Sequence, residues 1–153
     1  MPREAGTETL EDEARAIAQH LLDETAAAYE ANDFSAFAPH FMLPGDVHTF
    51  GTARLISDLA DLYDLFSRVR MFFDNIGMTS LERDCISAEF TNAETIKATH
   101  ITRLLNGTTL IYPPSPAFTL FRKVEGRWKI ASSQYATTEP GLDDAIGRTR
   151  KSP

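Results

Sequence analysis

The chain has 153 residues, a formal net charge of −7, 42% hydrophobic and 24% charged residues. One domain is the economical reading, because a chain of this size buries about 68–70% of its extended surface on folding. The acidic balance disfavours a nucleic-acid backbone or an anionic membrane as partner, since both attract positive surface.

Residues 1–8 read as a flexible lead, residues 9–136 as the domain, and residues 137–153 as an exposed tail. No basic-then-apolar leader opens the chain and no apolar run reaches membrane-spanning length, so a cytoplasmic location is the default expectation. Helical spacing of Ala14, Ile17, Ala18, Leu21, Leu22, Thr25, Ala28 and Tyr29 predicts a helix from about Glu11 to Ala31. Asn32-Asp33 breaks it, and Asp33 can cap a short second helix with Phe34, Phe37 and Phe41 on its inner side.

After Pro44-Gly45 the period changes: residues 46–50 and 53–56 predict two short strands. Ser57 then caps a helix from Asp58 to about Asp74, with Leu59, Leu62, Tyr63, Phe66, Val69 and Phe73 on one face. Leu65 and Phe72 fall off that stripe, which marks either a broader buried face or a subunit contact.

The second half alternates as strands. Residues 79–91, 95–105, 117–124 and 127–135 predict antiparallel ribbons, with Asn106-Gly107 as a two-residue hairpin turn. Pro113, Pro114 and Pro116 must interrupt the strand that returns from this turn, or sit in a bulge, and so shape a pocket rim. Past Thr137 the composition predicts an exposed tail with a short helical turn near Leu142–Ile146.

The titratable candidates lie on these strands. Asp46 and His48, two apart, share one side of a regular strand and form a candidate proton-transfer pair. A solvent-facing pair at a strand end explains the spacing equally well. Ile96, Ala98, His100, Thr102 and Leu104 share another face, which places His100 on a core or cavity wall. It is either a proton acceptor there or a core histidine held by a backbone carbonyl. Ser132 and Gln134 share a side with Trp128 and Ile130 and are candidate neutral ligand contacts. Tyr112 beside the prolines, and Tyr29 and Tyr63 on their helices, are phenols within reach of a cavity, each also readable as packing. Cys85, the single cysteine, reads as a structural thiol. No phosphate-cradling glycine loop, dinucleotide fingerprint, nucleophile elbow or local zinc spacing occurs, so no cofactor and no metal is expected.

The order of these elements, with the stretches AAAYEANDFSAFAPHF, GDVHTFG and FTLFRKVEGRWKIASSQY, resembles the NTF2-like superfamily, in particular its SnoaL-like branch, over roughly residues 10–136. The resemblance implies an α+β, cone-shaped fold, with three N-terminal helices packed in a strongly curved antiparallel sheet around a mostly apolar cavity. It also implies a homodimer through the sheet. Family activities include cofactor-independent isomerase, dehydratase and cyclase chemistry, and other members bind ligands or assemble without catalysis. The expected partner is an apolar or aromatic small molecule with polar oxygen groups, with His48, His100 and Asp46 as acid/base candidates. Against the ketosteroid isomerase pattern, the catalytic carboxylate falls near Thr49 and the helix-one tyrosine near Thr25. Neither residue carries the enolate chemistry of that enzyme.

Overall fold

The computed structural model describes residues 3–137 and 139–147. The expected lead at residues 1–2, and residues 138 and 148–153 of the expected tail, lie outside the described residues. Helix α1 spans Arg3–Ala31, longer than the periodicity predicts, and ends where Asn32 takes a left-handed φ of 55°. Asp33 caps α2 (Phe34–Phe37) by accepting a hydrogen bond from the Ala36 amide, and a 3₁₀ turn (Ala38–His40) follows. Then come β1 (Phe41–His48), β2 (Ala53–Ile56) and α3 (Leu59–Asn75). Asp58, not Ser57, caps α3, its carboxylate accepting from the Asp61 amide at 2.9 Å.

Strands β3 (Ser80–Asn92), β4 (Thr95–Asn106), β5 (Thr109–Leu110), β6 (Ser115–Val124) and β7 (Arg127–Tyr135) precede a last helix, α4 (Pro140–Gly147). Pro113 and Pro114 do break the return from the Asn106-Gly107 turn, whereas Pro116 sits inside β6 opposite Ile101. Only β5 pairs directly after it, and β6 resumes four residues later, which places Ala117 rather than Pro113 opposite His100.

The expected cone of strongly curved antiparallel sheet is not what forms. The strands make one open, mixed sheet in the order β2-β1-β7-β6-β4-β3, with β5 paired to β4 and β2 and β3 as free edges. Strand β1 runs parallel to β7. Sequence reading follows hairpin turns, and a hairpin can only yield antiparallel neighbours. No turn signal marks the pairing of β1 with a strand that arrives at the end of the domain.

The helices cover one face of this sheet. Ala14 and Ala18 are fully buried, and these small side chains let α1 lie close on β3 and β4, beside Leu22, Ile96 and Phe121. Burial of each large side chain in this layer contributes roughly 1.5–3 kcal/mol. A second, aromatic cluster lies between α1, α2 and α3. There Tyr29 stacks on Phe66 with centroids 5.1 Å apart and meets Phe37 at 4.7 Å and Phe73 at 5.3 Å.

Leu65 and Phe72 are buried inside the chain rather than at a subunit contact. A Cβ on Gly141 would come within 2.7 Å of the Phe72 ring, so α4 sits directly on this side of α3. Ala145 and Ile146 of α4 are themselves buried, at 6% and 2% exposure, where an exposed tail was expected. Thr49 donates to the Asp143 carboxylate at 2.5 Å and Arg54 to the Ile146 carbonyl at 3.4 Å, which fastens α4 to the β1–β2 hairpin.

Candidate functional site

Which side chains face the helices is decided by two irregularities in adjoining strands. In β7, Phe121 pairs with Ile130 while Leu120 pairs with Ser132, so Ala131 is an extra residue, a bulge. Ile130 and Ala131 are both buried, and beyond them Ser133 and Tyr135 point to the helix side. In β1 the register to β7 jumps between Phe41 and Asp46. Gly45 lies against the Ala131 bulge: a Cβ there would stand 2.9 Å from the Ala131 carbonyl oxygen and 2.8 Å from that of Met42. Only glycine lets the two backbones come this close.

The inner face so defined, together with α3 and α4, encloses a cavity of about 570 Å³. That volume falls in the range of small-molecule sites, about 300–1,000 Å³. Its walls are apolar: Leu22, Phe37, Phe41, Leu62, Phe73 and Ile130 contribute to them. Tyr112, Pro113, Pro114 and Pro116 line it too, so the interrupted strand does form part of its edge. Leu142 and Ile146 bring α4 to the opposite side.

One part of this apolar hollow is polar. Arg83 on β3 and Thr102 on β4 are direct cross-strand partners and both line the cavity, as do Thr119, Ser133, Tyr29 and Tyr135. Arg83 is only 8% exposed. Its Nη2 donates to the Leu22 carbonyl at 2.6 Å and to Thr25 Oγ1, while its Nε has no partner. Burial pushes the Tyr29 phenol well above its ordinary pKa, with Tyr135 adding to the rise and Arg83 opposing it. The Tyr29 phenol therefore stays a protonated donor at neutral pH.

His100 lies two residues along β4 from Thr102 on the same face. It is fully buried, stands edge-on to Tyr135 at 6.4 Å between ring centroids, and is not among the residues that line the cavity. Neither ring nitrogen has a hydrogen-bond partner, and the Thr102 hydroxyl is likewise unpartnered. Burial, and secondarily the positive charge of Arg83, push the His100 pKa down to about 3. At neutral pH the ring is neutral.

The other candidates fall elsewhere. Asp46 pairs with Ser132 and His48 with Gln134 across the parallel β1–β7 ladder, so all four meet on the outer face of the sheet. Ser132 donates to Asp46 Oδ1, and His48 Nε2 lies 3.4 Å from the same oxygen. The Asp46 and His48 side chains are 43% and 40% exposed, and Asp46 also borders the cavity. Ser132 and Gln134 line a groove on that outer face, with Phe118 and Lys97, because the Ala131 bulge reverses the alternation expected from Trp128 and Ile130. Tyr29 and Tyr112 line the cavity, whereas Tyr63 is 55% exposed and stands edge-on to Phe34. Cys85 is buried, and that burial raises its thiol pKa, in keeping with a structural role.

Arg83 was not among the candidates read from the sequence. Its signal was present in LERDC, where Leu81, Arg83 and Cys85 alternate onto one face and put a guanidinium between two buried apolar residues.

No family model and no curated protein matches the sequence. Solved structures do match. An NTF-2-like protein of unknown function from Shewanella oneidensis has a TM-score of 0.61 at 12% identity, covering 77% of this chain and 94% of its own. An NTF2-like protein with a cystatin-like fold from Novosphingobium aromaticivorans has a TM-score of 0.60 at 14% identity, covering 92% and 91%. A protein of unknown function with a cystatin-like fold from Nostoc punctiforme has a TM-score of 0.63 at 12% identity, covering 82% and 91%. No helix among the described residues is long and apolar enough to cross a membrane. At these identities the likeness speaks for architecture alone: the chain has an NTF2-like, cystatin-like fold.

Proposed function

We propose that this chain binds a small apolar or aromatic molecule carrying polar oxygen groups, in the cavity between the inner face of the sheet and helices α3 and α4. The observation that carries this reading is the polar patch of Arg83, Thr102, Tyr29 and Tyr135 set in otherwise apolar walls. Apolar walls supply affinity by burial, and a few convergent donors fix orientation. The similarity of the sequence to the SnoaL-like branch supports placing the ligand among the substrates of cofactor-independent isomerases, dehydratases or cyclases.

Acid/base turnover is the second reading, and one observation favours it. On the outer face the His48 imidazole lies 3.4 Å from the carboxylate of Asp46, a residue that also borders the cavity, and Ser132 donates a hydrogen bond to that carboxylate. His100 fits a base less well, since a conjugate acid with a pKa of about 3 takes up little proton at neutral pH. A homodimer through the sheet is supported by Leu55, Ile86 and Phe118, large apolar side chains that are 62%, 55% and 45% exposed.

Thermal denaturation with oxygenated naphthalenes, such as 2-naphthol and 2-acetylnaphthalene, tests the binding reading. Ala136, whose amide donates to the Pro116 carbonyl at 3.0 Å, lines the cavity wall, and Ala136→Trp would fill it. The probes should raise the melting temperature of the wild type and leave that of Ala136→Trp unchanged. No shift in the wild type, or equal shifts in both proteins, would remove the cavity as a binding site.

A further inference from the structure

The guanidinium groups of this chain are not treated alike. Arg15, Arg54, Arg68, Arg70 and Arg103 each have an aspartate within 3.2 Å. Arg83 is the most buried arginine among the described residues, and no described carboxylate lies within ion-pair distance of it. A buried cation is costly unless an anion answers it. Two of its donor bonds go to a helix carbonyl and a threonine hydroxyl, which solvate the charge without neutralising it.

The surroundings make the same point. The neighbouring His100 and Thr102 have buried polar atoms without partners, so this end of the sheet's inner face has unused hydrogen-bonding capacity. Buried polar groups are nearly always satisfied, and a cluster of exceptions in one place calls for a missing partner. Everything the cavity offers at this end carries positive charge or can donate a proton: Arg83, Thr102, Tyr29 and Tyr135. A single guanidinium balances one negative charge, and no second cationic side chain lines the cavity; its two lining carboxylates are held away from Arg83, Asp46 by Ser132 and Glu139 by the Gly141 amide. That favours a carboxylate over a phosphate, which would bring nearly two charges to one cation.

We propose that Arg83 is the anchor for the carboxylate of an apolar or aromatic carboxylic acid bound in the cavity, with the Thr102 hydroxyl as its neighbouring donor. The inference rests on the cavity being a ligand site, and it adds the ligand's charge. The aromatic or aliphatic body lies against Phe37, Phe73 and Ile130, and the head completes the ion pair that Arg83 lacks within the chain. Guanidinium and carboxylate match in planar geometry, which gives the contact direction as well as strength.

The test is calorimetric titration with two probes of one shape and different charge, 2-naphthoate and 2-naphthamide. Wild-type protein should bind the carboxylate about ten- to a hundredfold more tightly than the amide, the factor expected of a charge-assisted bond. Arg83→Met should lose that preference, its affinities for the two probes falling within about twofold of each other, and Arg83→Lys should restore part of it. Wild-type discrimination needs no variant, so a poorly folding Arg83→Met leaves the test intact. Equal affinity of wild-type protein for the two probes, or a preference that survives in Arg83→Met, would overturn the anchor and leave the cavity reading standing. Failure of both probes to bind the wild type would take down the cavity reading and the anchor with it.

Discussion

The two faces of the sheet each carry a histidine near an ionisable neighbour, and the pairs behave in opposite ways. On the inner face, His100 is fully buried, has no hydrogen-bond partner and stands near a cation. On the outer face, His48 is 40% exposed and lies beside an anion that a serine also holds. The difference is one of solvent and sign. Water screens the outer pair, whose energetic coupling is therefore worth about 0–1 kcal/mol. Burial leaves the inner pair unscreened, so desolvation first and the Arg83 charge second hold the His100 imidazole neutral. A prearranged, water-poor environment is found on the inner face, and a solvent-screened pair on the outer.

What keeps the faces apart is the Ala131 bulge, and breaking it should have the largest effect. Deletion of Ala131 leaves Ile130 inward and Ser132 outward, but it pulls β7 straight, removing a buried side chain and the carbonyl against which Gly45 is seated. Loss of that packing where β1 joins β7 should cost about 3 kcal/mol or more. Urea denaturation should show that loss. Gly45→Ala attacks the same junction from the other strand, by pushing a Cβ into two carbonyl oxygens, and should cost about 1–3 kcal/mol.

Next comes the cover over the cavity. Ile146 is 2% exposed and lines the hollow, so Ile146→Ala should destabilise by about 2–4 kcal/mol if the site cannot collapse. A destabilisation below that range, with unchanged probe binding, would mean that α4 does not help to close the cavity.

A pH titration of stability sharpens the contrast between the histidines. The folded-state pKa of His100 lies near 3, below its ordinary 6.5, so between these values the unfolded chain binds a proton that the folded chain does not. Its contribution favours folding fully above about pH 6.5 and declines as pH falls towards 3, by at most about 1.4 kcal/mol per pH unit. His100→Gln should flatten that part of the profile, as read by chemical denaturation at successive pH values. The smallest effect is expected outside: His48→Gln at pH 7 should change stability by less than about 1 kcal/mol.

Much of the fold was legible because local signals set it. The Asn32-Asp33 break, the α3 helix and the Asn106-Gly107 turn each depend on residues close in sequence and form near their expected bounds, but the buried face of α3 takes in Leu65 and Phe72 and leaves Leu59 and Tyr63 exposed. The parallel pairing of β1 with β7 was not legible, because it joins segments with no turn between them, and the curved antiparallel cone expected from resemblance gave way to an open mixed sheet. In the site, Tyr29 and Tyr112 line the cavity. Ser132 and Gln134 do not, since one inserted residue in β7 changes the facing of everything beyond it. Helix α4 was read as exposed because its Pro, Gly and Asp content resembles a tail. Ala145 and Ile146 find their partners only once α3 and the β1–β2 hairpin are in place.

The central claim is that the hollow on the inner face of the sheet takes an acidic, largely apolar ligand against Arg83. A high-resolution crystal structure of the protein saturated with 2-naphthoate tests it most directly. The ring system should lie between α3 and Ile130, with both carboxylate oxygens within hydrogen-bond distance of the Arg83 guanidinium. A cavity holding only water at saturating probe, or the probe seated on the outer face beside Ser132 and Gln134, would contradict it.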